Sequence, residues 1–94
     1  MEGKNSVATT QLLRLSTGHF SLEINPSDRQ KVAEAIESLF GKPQVSLLAP
    51  YGSNYSFGDA DFAFQDEWDD PCLISSSARG DDVLQRLALT LNLS

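Results

Sequence analysis

Apolar and polar residues alternate in the first third of the chain, and the phase of that alternation reverses once. Leu13 and Leu15 share one phase, whereas Phe20, Leu22 and Ile24 share the other, and the reversal falls across Ser16-Thr17-Gly18-His19. A turn between two antiparallel strands requires such a flip, so the pattern predicts strands over 11–16 and 19–24. The period then changes from two to 3.6. Val32, Ala33, Ile36, Leu39 and Phe40 form a stripe at helical spacing. Asn25 can cap this helix, Pro26 suits its first position, Asp28 complements its dipole, and Gly41 and Pro43 end it.

Residues 44–49 read as a strand closed by Pro50 and the turn-prone Tyr51-Gly52-Ser53-Asn54. Tyr55 and Phe57 alternate in one phase and Ala60, Phe62 and Phe64 in the other, with Gly58-Asp59 between them, which predicts a second hairpin. If Phe62 and Phe64 face the core, Asp59 and Asp61 must face outward, because successive strand side chains point to opposite sides. Residues 66–71 read as a loop and 72–77 as a final strand carrying Leu73 and Ile74. A break at Ser77-Ala78-Arg79-Gly80 leads into a closing helix over 81–92, which buries Val83, Leu84, Leu87, Ala88 and Leu91, with Asp81 and Asp82 in its first turn. Residues 1–10 have no apolar period and read as a flexible tail, leaving 11–94 as one domain. The fold class expected is α+β, with a largely antiparallel sheet in the order ββαβββα and two helices packed on it.

Charge sharpens this picture. The 94 residues carry 13 acidic and seven basic side chains, a formal charge of −6. Six of the acids, Asp59, Asp61, Asp66, Glu67, Asp69 and Asp70, fall within twelve residues that hold no base. The rest of the chain is balanced. Such a surface repels phosphate backbones and anionic lipid, so neither nucleic acid nor membrane is expected as a partner. The N-terminus lacks the apolar core of a signal peptide, no run approaches the length of a membrane span, and Cys72 has no second cysteine with which to pair. A cytoplasmic location is the expectation.

Candidate chemistry is sparse. Asp59-Ala60-Asp61 and Asp66-Glu67-Trp68-Asp69-Asp70 could offer oxygen ligands to a hard cation, but their spacing fits no metal loop, and no metal or other cofactor is expected. Acid–base catalysis by paired carboxylates needs one of them sheltered, and this acidic stretch reads as solvated. His19 is expected to be exposed in its turn, and Cys72 to pack as a small hydrophobe. Ser75-Ser76-Ser77-Ala78-Arg79-Gly80 lacks the lysine of a phosphate-binding loop. No catalytic residues are assigned, and the chain is not expected to be an enzyme. Trp68 reads either as a cover for the core edge or as an anchor among the acids.

The stretch Asp66-Glu67-Trp68-Asp69-Asp70-Pro71-Cys72-Leu73-Ile74-Ser75, followed by Gly80 and a leucine-rich helix, resembles the small acidic immunity proteins of bacterial contact-dependent and polymorphic toxin systems. The resemblance covers about a quarter of the chain. It implies a non-catalytic inhibitor of a basic toxin such as a nuclease. Asp66, Glu67, Asp69 and Asp70, with Asp59 and Asp61, would meet lysines and arginines, and Trp68 would supply apolar burial. A structural or regulatory interaction module is the alternative, homodimeric through an exposed sheet edge, with its acids serving solubility.

Overall fold

A computed structural model describes residues 10–47, 52–67 and 70–91, with only the backbone of Asp66, Glu67 and Asp70. The chain forms an α+β fold of six strands and two α-helices. In order these are β1 (Gln11–Arg14), β2 (Phe20–Glu23), α1 (Arg29–Phe40), β3 (Gln44–Leu47), β4 (Ser53–Phe57), β5 (Ala60–Glu67), β6 (Asp70–Ser75) and α2 (Ala78–Thr90). Four strands therefore follow α1, one more than in the order ββαβββα.

Every neighbouring pair in the sheet is antiparallel, and the strand order is β1-β2-β6-β5-β4-β3. The β1–β2 hairpin starts at one edge, α1 carries the chain to the other, and β3 to β6 return as a meander until β6 pairs with β2. α2 lies over β1, β2, β5 and β6, with α1 beside it. Both helices cover one face of the sheet. Antiparallel sheets tolerate a wetted second face, and here that face carries Asn54, Ser56, Asp61 and Gln65.

The core lies between the helices and the covered face. Leu22, Phe62, Leu73, Val83, Leu84 and Leu87 are almost wholly buried, each worth about 1.5–3 kcal/mol as a buried side chain. Phe57 stacks on Phe62 with ring centroids 4.5 Å apart, and Phe40 closes the cluster from the end of α1 at 5.8 Å. Cys72 is buried, as expected for a small hydrophobe.

Several boundaries and faces differ from the sequence reading. The register pairs Leu12 with Leu22, so Leu12 joins the covered face, and Leu13, opposite Ser21, points to the other and is exposed. α1 buries Val32, Ala35 and Ile36, whereas Ala33 and Leu39 are exposed. Its stripe faces a partner helix and a narrow margin of sheet, so the buried arc is narrower than the apolar one. Asn25 caps as expected, accepting from the Ser27 amide, but Pro26–Asp28 form a 3₁₀ turn before the α-helix begins. The supposed break at 77–80 is the start of α2. Ser77 caps it by accepting from the Gly80 amide at 3.0 Å, and so the helix begins three residues earlier. Thr10, read with the N-terminal tail, is buried. It donates to Asp28 at 2.7 Å and accepts from the Asn25 amide.

Candidate functional site

The acidic stretch read as a loop over 66–71 is the far end of a hairpin. Asp66 pairs with Pro71 and Glu67 with Asp70, and Trp68 and Asp69 lie between them in sequence. Both lie outside the described residues. Alternation had stopped being informative here because the strand ends are polar. Pairing with the apolar β6 nevertheless carries β5 through them. Pro71 is tolerated because it stands near the start of its strand, where its missing N–H costs least, and its carbonyl accepts from the Ile24 amide at 2.9 Å.

At this end the β5–β6 ladder runs past the last described ladder pair that either strand makes on its other side. Described β4 begins at Ser53, opposite Phe64, and pairing with β2 reaches only as far as Glu23 opposite Cys72. Among the described residues, 65–67 thus pair only with β6, and the Ile24 amide still reaches Pro71 on the other side. Asp66, Glu67 and Asp70 hold positions at that end of the hairpin.

Asp59 and Asp61 stand at the other end of β5. Six residues separate Asp61 from Glu67, about 20 Å of extended strand. The single acidic window in the sequence is therefore two groups in space. Gly58 and Asp59 both have φ near +63° and form the two-residue turn between Phe57 and Ala60, the mirror-image type that suits strand twist. Gly58 is obligatory there, since a Cβ would come within 2.9 Å of Val83 and 3.1 Å of Phe40. Its carbonyl accepts from Arg79 Nε at 2.9 Å. Asp61 faces the open side, as alternation predicts, and accepts from the Ser56 hydroxyl and more weakly from the Asn54 amide. Those two donors hold its carboxyl below the usual aspartate range against a small opposing effect of burial. Asp59 and Asp61 line an open concavity of about 370 Å³ together with Lys42, Gln44 and Phe40.

Near the acidic hairpin the sheet offers an apolar groove. It has a volume of about 220 Å³ and runs between α1 and the covered face. Val32, Ala33 and Ile36 line one wall and Tyr55, Phe64, Pro71 and Leu73 the other, with Arg29 also at its margin. Tyr55 and Phe64 meet at a centroid distance of 5.0 Å. The groove exists because α1 packs against α2 and leaves the β4 side of the sheet partly bare. Asp66 holds the register position opposite Pro71 and two residues along from Phe64, so apolar and acidic elements adjoin.

His19 is not an exposed turn residue. Its Nδ1 lies 2.8 Å from Asp81 Oδ2, and because a carboxylate only accepts, that nitrogen carries the proton. Asp81 Oδ1 accepts from the Phe20 amide at 2.9 Å. Burial pushes the Asp81 carboxyl up, but donation from His19, the Phe20 amide and Ser75, with the favourable His19 charge, outweighs it and leaves the group below the ordinary aspartate range. An imidazole–carboxylate pair beside a serine has the parts of a nucleophilic triad in the wrong order. Ser75 Oγ sits on the carboxylate side and near the Ser77 carbonyl at 3.0 Å, rather than on the imidazole. The pair fastens the β1–β2 hairpin to the first turn of α2. Sixty-two residues separate the partners, so the sequence carried no signal for it.

Among the described residues, no three histidine, cysteine, aspartate or glutamate side chains gather closely enough to share a metal ion. No described helix is long and apolar enough to cross a membrane. No protein-family model, curated protein or solved structure matches this chain.

Proposed function

We propose that this domain is a non-catalytic protein-binding module, an acidic inhibitor of the immunity type that neutralises a basic toxin such as a nuclease. One observation supports the reading above others. The end of the β5–β6 hairpin that bears Asp66, Glu67 and Asp70, with Trp68 and Asp69 between them in sequence, adjoins an apolar groove. Local negative charge accelerates encounter with a cationic cleft, and an aromatic among the acids supplies the burial that charge pairs alone do not. Rim ion pairs contribute about 0–1 kcal/mol each, so affinity would rest on Trp68 and the groove as much as on charge. The acids would meet lysines and arginines that the toxin uses for phosphate, and the hairpin would occupy or obstruct that cleft.

The test is retention of basic proteins from source-organism lysate on immobilised wild type and on a variant carrying Asp66→Asn, Glu67→Gln, Asp69→Asn and Asp70→Asn. The captured protein should bind wild type with salt-sensitive affinity, and the quadruple variant at least tenfold more weakly. Equal affinity and equal salt dependence for both would sink the proposal.

A further inference from the structure

The other edge of the sheet has a different character. The sixteen residues from Pro43 to Gly58, which include all of β3 and β4, contain no charged side chain in a chain that is 21% charged as a whole. β3 is the outermost strand, and all four of its residues are exposed, Val45 by 54% and Leu47 by 86%. Val45 pairs with Tyr55, and Leu47 with Ser53, which in turn pairs with Phe64. Val45 and Leu47 therefore extend the Tyr55–Phe64 surface out to the open edge. Natural edge strands are normally blunted by charge, proline or a covering element. At the opposite edge β1 ends in Arg14 and lies partly under α2. β3 itself holds no charge and no proline, and no described element covers it.

We infer that the β3 edge is a self-association surface, and that its occupant is β3 of a second copy of this chain, paired antiparallel about a twofold axis at Ser46. Charge selects that occupant. A protein of charge −6 meets its own copy at least cost through its neutral part, whereas a cationic partner gains nothing from an uncharged strand. Sequence makes the edge self-complementary. Centring the axis on Ser46 places Val45 opposite the other copy's Leu47, and Leu47 opposite its Val45, so each apolar residue gains an apolar cross-strand neighbour. Distance removes the remaining objection. The two β5 strands would lie five strand spacings apart, about 24 Å, which is some three Debye lengths at physiological ionic strength, so the acidic hairpins barely repel. The product is a continuous twelve-stranded sheet with both acidic hairpins free. The inference does not rest on the toxin partner proposed above.

Sedimentation equilibrium of the full chain tests it. Wild type should show reversible dimerisation, and Val45→Lys with Leu47→Lys should sediment as a monomer with unchanged far-UV circular dichroism, since both side chains already face solvent. Ser46→Cys provides a second readout that disturbs little. It sits opposite its own copy on the axis and should form a disulfide-linked dimer under mild oxidation, whereas buried Cys72 should not. A wild type that stays monomeric across the accessible concentration range overturns the inference, as does a dimer that survives both lysines. A lysine-sensitive dimer in which Ser46→Cys fails to cross-link overturns the Ser46-centred pairing.

Discussion

Asp81 shows how much one side chain can join. It belongs to the first turn of α2, yet its two oxygens are spent on the β1–β2 hairpin, through the Phe20 amide and His19 Nδ1. Asp81→Ala should destabilise the domain by about 1.5–3 kcal/mol at neutral pH, because it strands a main-chain donor and removes a charge-assisted bond. The sign of its pH dependence follows from the direction of its shift. A carboxyl held below its unfolded value binds its proton less tightly when folded. Its contribution is therefore complete above the ordinary aspartate range and is lost as pH falls through the lower folded value. Denaturant melts of wild type and Asp81→Ala should differ most near neutrality and converge in acid. A constant difference across that range would count against the clamp. Nothing in the residues around His19 announces this contact, since the partners are brought together only when α2 packs over β2.

Helix α1 shows the same division at the scale of an element. Its existence was legible from the period of its apolar positions, its capping Asn25 and its terminal Gly41. Which of those positions would be buried was not. The stripe spans Val32 to Phe40, but α1 is fully buried only at Val32, Ala35 and Ile36, with Phe40 half-buried against Phe57 and Leu39 exposed. Ile36→Ala should cost about 2–5 kcal/mol, whereas Leu39→Gln should change stability by less than about 1 kcal/mol, both measured by chemical denaturation. Equal losses would mean that α1 packs on its whole stripe. The β5–β6 hairpin fails in the opposite sense. Its acidic ends read as a loop because polar strand ends lack alternation, and pairing with β6 keeps residues 65–67 extended.

For the whole molecule, the decisive arrangement is how the acids are divided. Twelve consecutive positions look like one patch, yet Asp59 and Asp61 lie at one end of β5, and Asp66 and Glu67, with Asp70 opposite them on β6, lie at the other. Charges about 20 Å apart across solvent couple weakly. Neutralising Asp59 and Asp61 together should therefore alter binding of a captured partner independently of the hairpin quartet. The combined variant should lie within about 0.5 kcal/mol of the sum of the two. Strong non-additivity in titration calorimetry would show that one contiguous site uses both ends.

The sequence alone determined the α+β class, the two helices, the β1–β2 and β4–β5 hairpins, the outward face of Asp61 and the acidic character of the surface. Each of these is set by local period, turn chemistry or composition, which act between residues close in the chain. Tertiary structure decided the strand order, the narrow buried face of α1, the His19–Asp81 clamp, the groove beside Phe64 and the separation of the acids. Those depend on which faces meet after the chain crosses from one sheet edge to the other, a choice made by burial of the whole core.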